Sequence, residues 1–360
     1  RRGANPANLP AMRFALLAVC GAWLLTSCGG GGGGGEAWQQ GVFKPAAGFA
    51  AKCARPLDEN NWLRSWTNDL YLWYSEVVDQ NPALFTSTDA YFEVLKTTAI
   101  TSSGAAKDKF HFTYPTDQWE ALAQGGVQAG YGAQWAIVSK KPPRQVLVAY
   151  TEPGSPAASA PASLVRGAEV LFVDGVDVIN ANSPADVDAI NAGLSPAGPN
   201  ETHIFVIGDP GGAQRTVTLV SANIATSPVR NVITIARNGG SVGYMLFNDH
   251  LAMSEAALKT AFTTLRNAAV SDLVLDIRYN GGGYLGIASE VAYMIAGPGP
   301  TAGQTFELTR FNSKHPVTDP VTGQTIAPVP FYRTTQGYSV PDGTALPTLN
   351  LPRVFVLTGP

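Results

Sequence analysis

The chain has 360 residues, which is enough for two or three domains. Charged residues make up 14% of it and apolar residues 45%, a balance that excludes a disordered or coiled-coil protein. Its 24 basic and 27 acidic residues leave a net charge of −3 and form no basic run, so we expect no nucleic-acid partner.

An apolar run near the start predicts an export signal. Met12 is the expected start of translation, and residues 14–25 after it are apolar. Twelve residues are too few to cross a bilayer but suit the core of a signal peptide. We therefore expect residues 1–27 to be removed and the mature protein to lie outside the cytoplasm.

The apolar run ends in Leu25-Thr26-Ser27-Cys28, which resembles the bacterial lipoprotein box. The resemblance implies that Cys28 carries lipid and that residues 28–55, with seven glycines from Gly29 to Gly35, tether the protein to a bacterial membrane. The outer membrane or the periplasmic face is the expected location. An ordinary secretory signal with an incidental cysteine is the alternative.

Cysteine and histidine usage predicts no disulfide, metal or cofactor. Cys20 lies in the signal and Cys28 is the lipidation candidate, so Cys53 is the one remaining thiol. The four histidines are scattered and no C-x-x-C pair occurs. Zinc-type spacing is therefore lacking in the sequence.

Residues 56–122 have aromatic and aliphatic side chains at helical spacing, among them Trp62, Trp66 and Leu70. This pattern predicts a small helical domain with these side chains in its core. Asn60 or Asn61 is the expected cap of the first helix, and Asn81-Pro82 its end.

Residues 125–223 change to alternating runs separated by Gly, Pro and Asn, which predicts a β-rich domain. Gly130-Tyr131-Gly132 resembles the carboxylate-binding loop of PDZ domains. The segments 152–158 and 166–175 resemble the signature of bacterial PDZ modules. That resemblance implies a groove in which a C-terminal peptide adds as a strand while backbone N–H groups of the loop hold its carboxylate. A β-module without a ligand is the alternative. The predicted strands are 146–149, 169–173, 203–207 and 216–220.

Residues 227–360 predict an αβ domain. Segments 232–236 and 242–247 flank an Asn-Gly hairpin turn, and a helix from Ser254 as N-cap leads to an apolar strand at 273–277. Ser241 lies in a G-x-S-x-G match, but this motif marks a nucleophile only when a helix follows it. A strand follows here, so Ser241 is not the expected nucleophile.

The apolar strand at 273–277 runs into three consecutive glycines, Gly281 to Gly283, and a helix-periodic segment begins at Leu285. A turn of this kind exposes backbone N–H groups at a helix start, where they can hold an oxyanion. A tight turn that merely needs small residues is the other interpretation. A dinucleotide site is not favoured, because Ile287 stands where the third glycine of G-x-G-x-x-G belongs.

The segment from Asp276 to Gly283 resembles the D-L-R-x-N-x-G-G turn of the C-terminal processing (tail-specific) serine peptidases. The resemblance implies an oxyanion turn at Gly282 and Gly283, shaped by Asn280 and Arg278. We expect Asp276 to hold the turn rather than to titrate in catalysis. The implied fold is α+β and multidomain: an N-terminal helical region, a PDZ-like β-rich domain and an αβ (ClpP/crotonase-like) peptidase core.

Two further segments bear on the catalytic apparatus. The stretch from Asp108 to Tyr114 is only loosely similar to the family's D-x-H-[ST] segment, so His111 is interpreted as structural. Residues 297–350 read as a long connection or lid, and 353–357 as a buried strand. In the family such a strand leads into the nucleophile serine, with a lysine base later. We find neither in this sequence, and expect the core to be incomplete and the chain as given to be inactive.

Two functions from different classes follow from these patterns. The first is a lipid-anchored serine endopeptidase that recognises polypeptide substrates by their C-termini. The second is a non-catalytic, PDZ-containing lipoprotein that captures peptides without cleaving them.

Overall fold

The computed structural model describes residues 38–52 and 54–359. They form two compact units, one comprising the residues up to Thr116 together with Ala302–Phe331, and the other Asp117–Thr301 together with the residues from Tyr332 onward. The signal, Cys28, the glycine tether and Cys53 lie outside the described residues. The predicted mixed α+β class is confirmed.

The described helices and strands alternate irregularly along the chain. The helices are α1 Pro56–Leu70, α2 Thr88–Phe92, α3 Thr116–Gly125, α4 Pro184–Leu194, α5 Ser254–Asn267, α6 Leu285–Ala296 and α7 Pro298–Thr301. The strands are β1 Val127–Gly130, β2 Ala133–Ser139, β3 Gln145–Thr151, β4 Glu169–Val173, β5 Val176–Asp177, β6 Thr202–Gly208, β7 Gln214–Val220, β8 Ala222–Ala225, β9 Val229–Arg237, β10 Gly240–Phe247, β11 Asp272–Asp276, β12 Thr305–Glu307, β13 Val329–Pro330 and β14 Val354–Leu357.

Helix α1 of the first unit differs from its prediction at both ends. It begins at Pro56 after Arg55, because proline is tolerated at the first helical position, and it ends at Leu70. Asn60 and Asn61 therefore lie inside the helix. Asn81 accepts a hydrogen bond from Ala83 and starts a separate 3-10 turn at Pro82–Leu84.

The buried face of α1 is polar rather than apolar. Trp62 and Trp66 stack with ring centroids 5.6 Å apart but stay only partly buried. Arg64 is buried instead: its Nε and Nη2 donate to the Asp79 carboxylate at 2.6 Å, and its Nη1 donates to Val42 O at 2.9 Å. A buried guanidinium is tolerated because a carboxylate and backbone carbonyls satisfy its donors.

The β-rich part of the second unit matches the sequence prediction. All four predicted strands are present, as β3, β4, β6 and β7, in an antiparallel sheet ordered β2-β3-β4-β6-β7 with β5 paired to β4. Strand β1 pairs separately with β8. The side chains that the sheet and α4 bury form one apolar cluster, which includes Tyr131, Ile190 and Phe205. Strand β2 is an edge strand of this sheet.

A second sheet, ordered β14-β11-β10-β9, carries the glycine turn. Strands β10 and β11 are parallel, and β9 and β10 form the predicted Asn-Gly hairpin. Helix α5 connects β10 to β11 and packs close to the sheet, because Gly243 leaves space for the Leu265 side chain. Ser254 is the first residue of α5 rather than its cap: its Oγ accepts from Leu251 N and donates to Asp249 O.

Strand β14 was predicted to be buried, and this is wrong. It pairs with β11 alone and forms the edge of the sheet. Phe355 and Val356 are 52% and 46% exposed, because no described element covers their side chains. An apolar run identifies a strand but does not decide whether it lies in the middle or at the edge of a sheet.

Part of the predicted lid is fixed by two acidic side chains. We call residues 332–346 the return segment. Glu255 of α5 and Glu290 of α6 are fully buried, and their Oε1 atoms accept from the same Gln336 N–H at 2.8 and 3.0 Å. Glu255 Oε2 also accepts from Ser339 N and Val340 N. Burial, followed by the neighbouring Glu255 charge, raises the pKa of Glu290 to about 9. Glu290 is therefore a neutral acid at pH 7.

Candidate active site

The glycine turn begins at a buried carboxylate. Asp276, the last residue of β11, is fully buried and accepts from Arg278 Nη2 at 2.6 Å and from the Tyr244 hydroxyl at 2.7 Å. Burial alone would raise the pKa of Asp276, but the hydrogen bonds from Arg278 and Tyr244 outweigh it and hold this pKa below its usual value. Asp276 is thus placed as an ionised anchor for the turn.

Asn280 ties the turn to the neighbouring strand. Its Nδ2 donates to Phe247 O at the end of β10, at 2.9 Å, and its Oδ1 accepts from Gly282 N at 2.9 Å. One side chain thereby fixes both the position of the turn and its local conformation, as Asn commonly does in turns. The predicted shaping residues Asn280 and Arg278 both lie within the turn.

Residues 247–250 complete the site, and the sequence analysis missed them. Asn248 O accepts from Gly281 N at 3.1 Å, His250 N donates to Gly282 O at 2.8 Å, and His250 O accepts from Tyr284 N at 2.9 Å. The parallel pairing of β10 and β11 therefore continues into the turn, with a bridge between His250 and Gly283. The polar run directly after the apolar β10 was the signal that could have found them, because the carboxyl ends of adjacent parallel strands meet.

The two predicted oxyanion donors differ in availability. The Gly282 N–H already donates to Asn280 Oδ1. The Gly283 N–H makes no hydrogen bond to any residue that the structure describes, and it lies two residues before the start of α6. Of the two, Gly283 alone thus offers an uncommitted donor near a helix N-terminus. The oxyanion role of either glycine stays a prediction.

The predicted carboxylate loop lies at the edge strand β2. Tyr131 is buried and donates its hydroxyl to Gly193 O, at the end of α4, at 2.9 Å. Gly132 has a φ of 74° and packs against Ser155, and its carbonyl accepts from Glu152 N at 2.7 Å. The loop is therefore held between the end of α4 and the segment 152–158.

The two family segments of the chain match models of known proteins. Residues 58–114 match the peptidase S41 N-terminal domain, and residues 241–323, which include the glycine turn, match peptidase family S41. These two segments are therefore those of peptidase family S41. Both segments stand in the order that the resemblance to C-terminal processing peptidases implied.

Curated relatives of the chain agree with this family match. It is 27% identical over 179 residues to a carboxyl-terminal-processing protease of a Picosynechococcus strain, covering 49% of the chain and 41% of that protein. It is 31% identical over 165 residues to a chloroplastic C-terminal processing peptidase of Tetradesmus obliquus, covering 43% of the chain and 34% of that protein. The chain thus spans less than half the length of either relative.

A solved S41 structure shares the fold. The crystal structure of an S41 protease of Bacteroides fragilis has a TM-score of 0.51 and 22% identity, covering 82% of this chain and 71% of that one. At this identity the likeness concerns the fold alone. It agrees with the multidomain arrangement of an N-terminal helical part and two sheets.

The segment 248–250 gives the S41 turn an unusual electrostatic setting. Burial raises the pKa of Asp249 to about 7, with the Glu152 charge adding to the rise and the Gly281 N–H opposing it. Burial also lowers the pKa of His250, so this ring is neutral at pH 7. Asn248 is 1% exposed, yet neither side-chain polar atom has a partner in the described residues. At pH 7 the turn is therefore bordered by a neutral amide, a neutral imidazole and a carboxyl group that is about half ionised.

The remaining candidate residues, Ser241 and His111, make local structural contacts. Ser241 is on β10, at the opposite end of the strand from the turn, and its Oγ donates to Ala268 O at 3.5 Å. His111, in the other unit, stacks on Phe92 with centroids 3.8 Å apart and bonds through Nε2 to Phe92 O at 2.6 Å. Both arrangements agree with the structural interpretation of these residues.

Two absences concern the described residues alone. Within residues 38–52 and 54–359, no group of three His, Cys, Asp or Glu side chains is arranged to hold a metal ion. No helix within the same ranges is both long and apolar enough to cross a bilayer.

Proposed function

We propose that this chain is part of a serine endopeptidase of the C-terminal processing type. The observation that carries the proposal is the uncommitted Gly283 N–H, placed beside the carboxyl ends of two parallel strands in a chain of family S41. A donor held in this way stabilises the negative charge that develops on a peptide carbonyl oxygen during attack. Nothing must reorganise at that moment, because the Asp276 anchor and the Asn280 bridge already hold the turn.

The proposed reaction is acyl transfer. A serine hydroxyl attacks the peptide carbonyl carbon while a neutral lysine takes its proton, and the oxyanion forms at the glycine turn. The intermediate then collapses, the amine leaves with the proton, and water releases the acyl group. We assign the nucleophile and the base to no described residue. This chain's contribution is the oxyanion turn and its supports.

Substrate recognition is proposed to use the β-rich part of the second unit. One edge of strand β2 pairs with no other described strand and can accept an added peptide strand, and β2 begins directly after Gly130-Tyr131-Gly132. Backbone N–H groups of such a loop can hold a terminal carboxylate. The substrates are then polypeptides recognised by their free C-termini.

Replacing Asn280 by Ala tests the catalytic proposal in the protein expressed from its complete reading frame. The variant loses both hydrogen bonds by which Asn280 holds the turn. We expect kcat/KM for cleavage of an unstructured protein to fall about 10²-fold, in the range seen when one oxyanion donor is lost. The exposed Asn182 provides the control variant, Asn182→Ala, which should cleave normally.

Three outcomes separate the candidate functions. Reduced cleavage by Asn280→Ala alone supports the peptidase. Equal cleavage by the wild type and both variants would contradict a role for the turn. Carboxylate-dependent peptide binding with no cleavage by the wild type would favour the non-catalytic peptide-binding lipoprotein.

We further propose that Cys28 anchors the protein to an extracytoplasmic membrane face, on the basis of its Leu-Thr-Ser-Cys context. Replacing Cys28 by Ala should move the protein from the membrane fraction to the soluble fraction, because a glycine tether alone has no affinity for lipid. Fractionation of cells that express both forms measures this. Membrane retention of the Cys28→Ala protein would contradict the anchor.

A further inference from the structure

Two aromatic side chains occupy the space beside the carboxylate loop. Tyr131 donates its hydroxyl to Gly193 O at 2.9 Å, and Trp135 donates its indole N–H to Leu194 O at 2.9 Å. Both acceptors are carbonyls of the last turn of α4, which lack partners within a helix. The side chains of Tyr131 and Trp135 thus anchor the end of α4 by hydrogen bonds.

The end of α4 has little freedom to move away from the sheet residues behind it. A Cβ at Gly193 would lie 2.2 Å from Val173 Cγ1, so the helix packs on β4 with no intervening side chain. Tyr131 and Ile190 are each 2% exposed. Trp135 is only partly buried and packs on Phe205 with ring centroids 6.0 Å apart. Its side chain is therefore the one that can move most easily to make space for a ligand side chain beside the loop.

The proposed binding mode brings a ligand side chain to this place. A peptide that adds to the edge of β2 with its carboxylate at residues 130–132 has its last residue beside the start of that strand. Ala133 and Trp135 both pack against the core on one face of β2. A terminal side chain on the same face meets Trp135 and the end of α4.

We propose that Trp135 restricts the terminal residue of the bound peptide to a small side chain such as that of alanine. A larger side chain must displace the indole ring, and this breaks its hydrogen bond and leaves Leu194 O without a partner in an apolar setting. Trp135 is thus a specificity-determining residue for the groove. This inference rests on the proposed recognition of free C-termini.

Peptide binding to the full chain tests the inference. Labelled seven-residue peptides that differ only in ending with Ala or Phe are titrated by fluorescence anisotropy, each as free acid and as amide. We expect the wild type to bind the Ala-ended acid at least tenfold more tightly than the Phe-ended acid. Trp135→Ala should gain at least tenfold for the Phe-ended peptide.

Two further variants keep the result interpretable. Ile137→Ala changes an exposed residue of the same strand and should leave the wild-type preference unchanged. Trp135→Phe loses the indole N–H and some volume, so it should shift the preference in the same direction as Trp135→Ala but less. If circular dichroism shows that Trp135→Ala does not fold, Trp135→Phe tests the inference in its place.

The outcomes for the groove and for Trp135 are distinct. Two results overturn this inference and leave C-terminal recognition standing, provided that binding requires the free acid. The first is that the wild type binds the Phe-ended peptide as tightly as the Ala-ended one, or more tightly. The second is that both Trp135 variants keep the wild-type preference. Equal binding of acids and amides, or no binding, contradicts C-terminal recognition, and the inference fails with it.

Discussion

Replacing Gly283 by Ala should unfold the glycine turn and produce the largest loss of stability and function of any single methyl addition in the site. The new Cβ would lie 2.5 Å from His250 O, a backbone atom that cannot rotate away, and the residue has a φ of 127°. The positive φ alone costs roughly 1–2 kcal/mol for a residue with a Cβ, and the clash adds to it. We expect several kcal/mol less unfolding free energy and no detectable peptidase activity in the complete protein.

The neighbouring glycines provide matched controls for this prediction. Gly282 has a φ of 94° but open space at its Cβ position, so Gly282→Ala should show the conformational cost alone. A Cβ at Gly281 would lie 3.2 Å from Asp249 Oδ1, the end of a side chain, so Gly281→Ala should have the smallest effect. Urea denaturation of the three variants measures the order. If Gly283→Ala were as stable as Gly281→Ala, the bridge to His250 would be wrong.

Replacing Glu290 by Gln should stabilise the protein increasingly as the pH rises. The folded-state pKa of about 9 lies above the usual value near 4.3, so the folded protein retains a proton that the unfolded chain releases. The stabilisation linked to that proton is complete below about pH 4.3 and is lost progressively as the pH rises to about 9, at about 1.4 kcal/mol per pH unit. A glutamine amide replaces the protonated carboxyl and removes this dependence.

The measurement is the unfolding free energy of the wild type and of Glu290→Gln at pH 5.5, 7.0 and 8.5. We expect the difference between them to grow in favour of the variant by a few kcal/mol across this range. Glu120→Gln, on the exposed side of α3, is the control and should follow the wild type. Parallel curves for the wild type and Glu290→Gln would show that folding does not raise the pKa of Glu290.

The partner carboxyl should respond in the opposite way. Glu255 accepts three backbone N–H groups of the return segment, and Glu255→Ala would leave them unsatisfied or exposed. Each unsatisfied buried donor costs roughly 1–3 kcal/mol, so we expect a marked loss of stability at every pH. The same denaturation series measures it, and a small loss would mean that the return segment has other anchors.

The sequence alone was sufficient to predict several strands and the turn between β11 and α6. Periodicity placed β3, β4, β6 and β7 within two residues of their observed bounds, and the Asn-Gly turn identified the β9–β10 hairpin. These features depend on local patterns, which a sequence carries directly. The same reasoning predicted a strand directly after Ser241 and so disfavoured this residue as a nucleophile.

Features that depend on distant partners were not predictable. The burial of Arg64 requires Asp79 and the carbonyl of Val42, which are brought together only by the fold. Glu255 and Glu290 join two helices to Gln336, which lies 81 and 46 residues further along the chain. An acidic residue on a helix ordinarily predicts a solvated face, so the pattern pointed away from these sites.

The same limit applied to the candidate site. Asp276, Arg278 and Asn280 lie in one short motif and could be recognised together. Asn248, Asp249 and His250 share no motif with them, since this segment is joined to the turn by backbone hydrogen bonds, and only the polar run directly after β10 signals their place. The apparent loop after β10 therefore belongs to the site as fully as the motif does.

The bridge between His250 and Gly283 has a consequence for how this part of the chain can change over evolutionary time. Residues 248–250 look like a loop, and loops usually tolerate insertions and deletions. Here Asn248 O, His250 N and His250 O are all bonded to residues 281–284, so a gain or loss of one residue would break these bonds and displace Asn248 and Asp249 from the turn. Side chains in this segment can vary, but its length cannot.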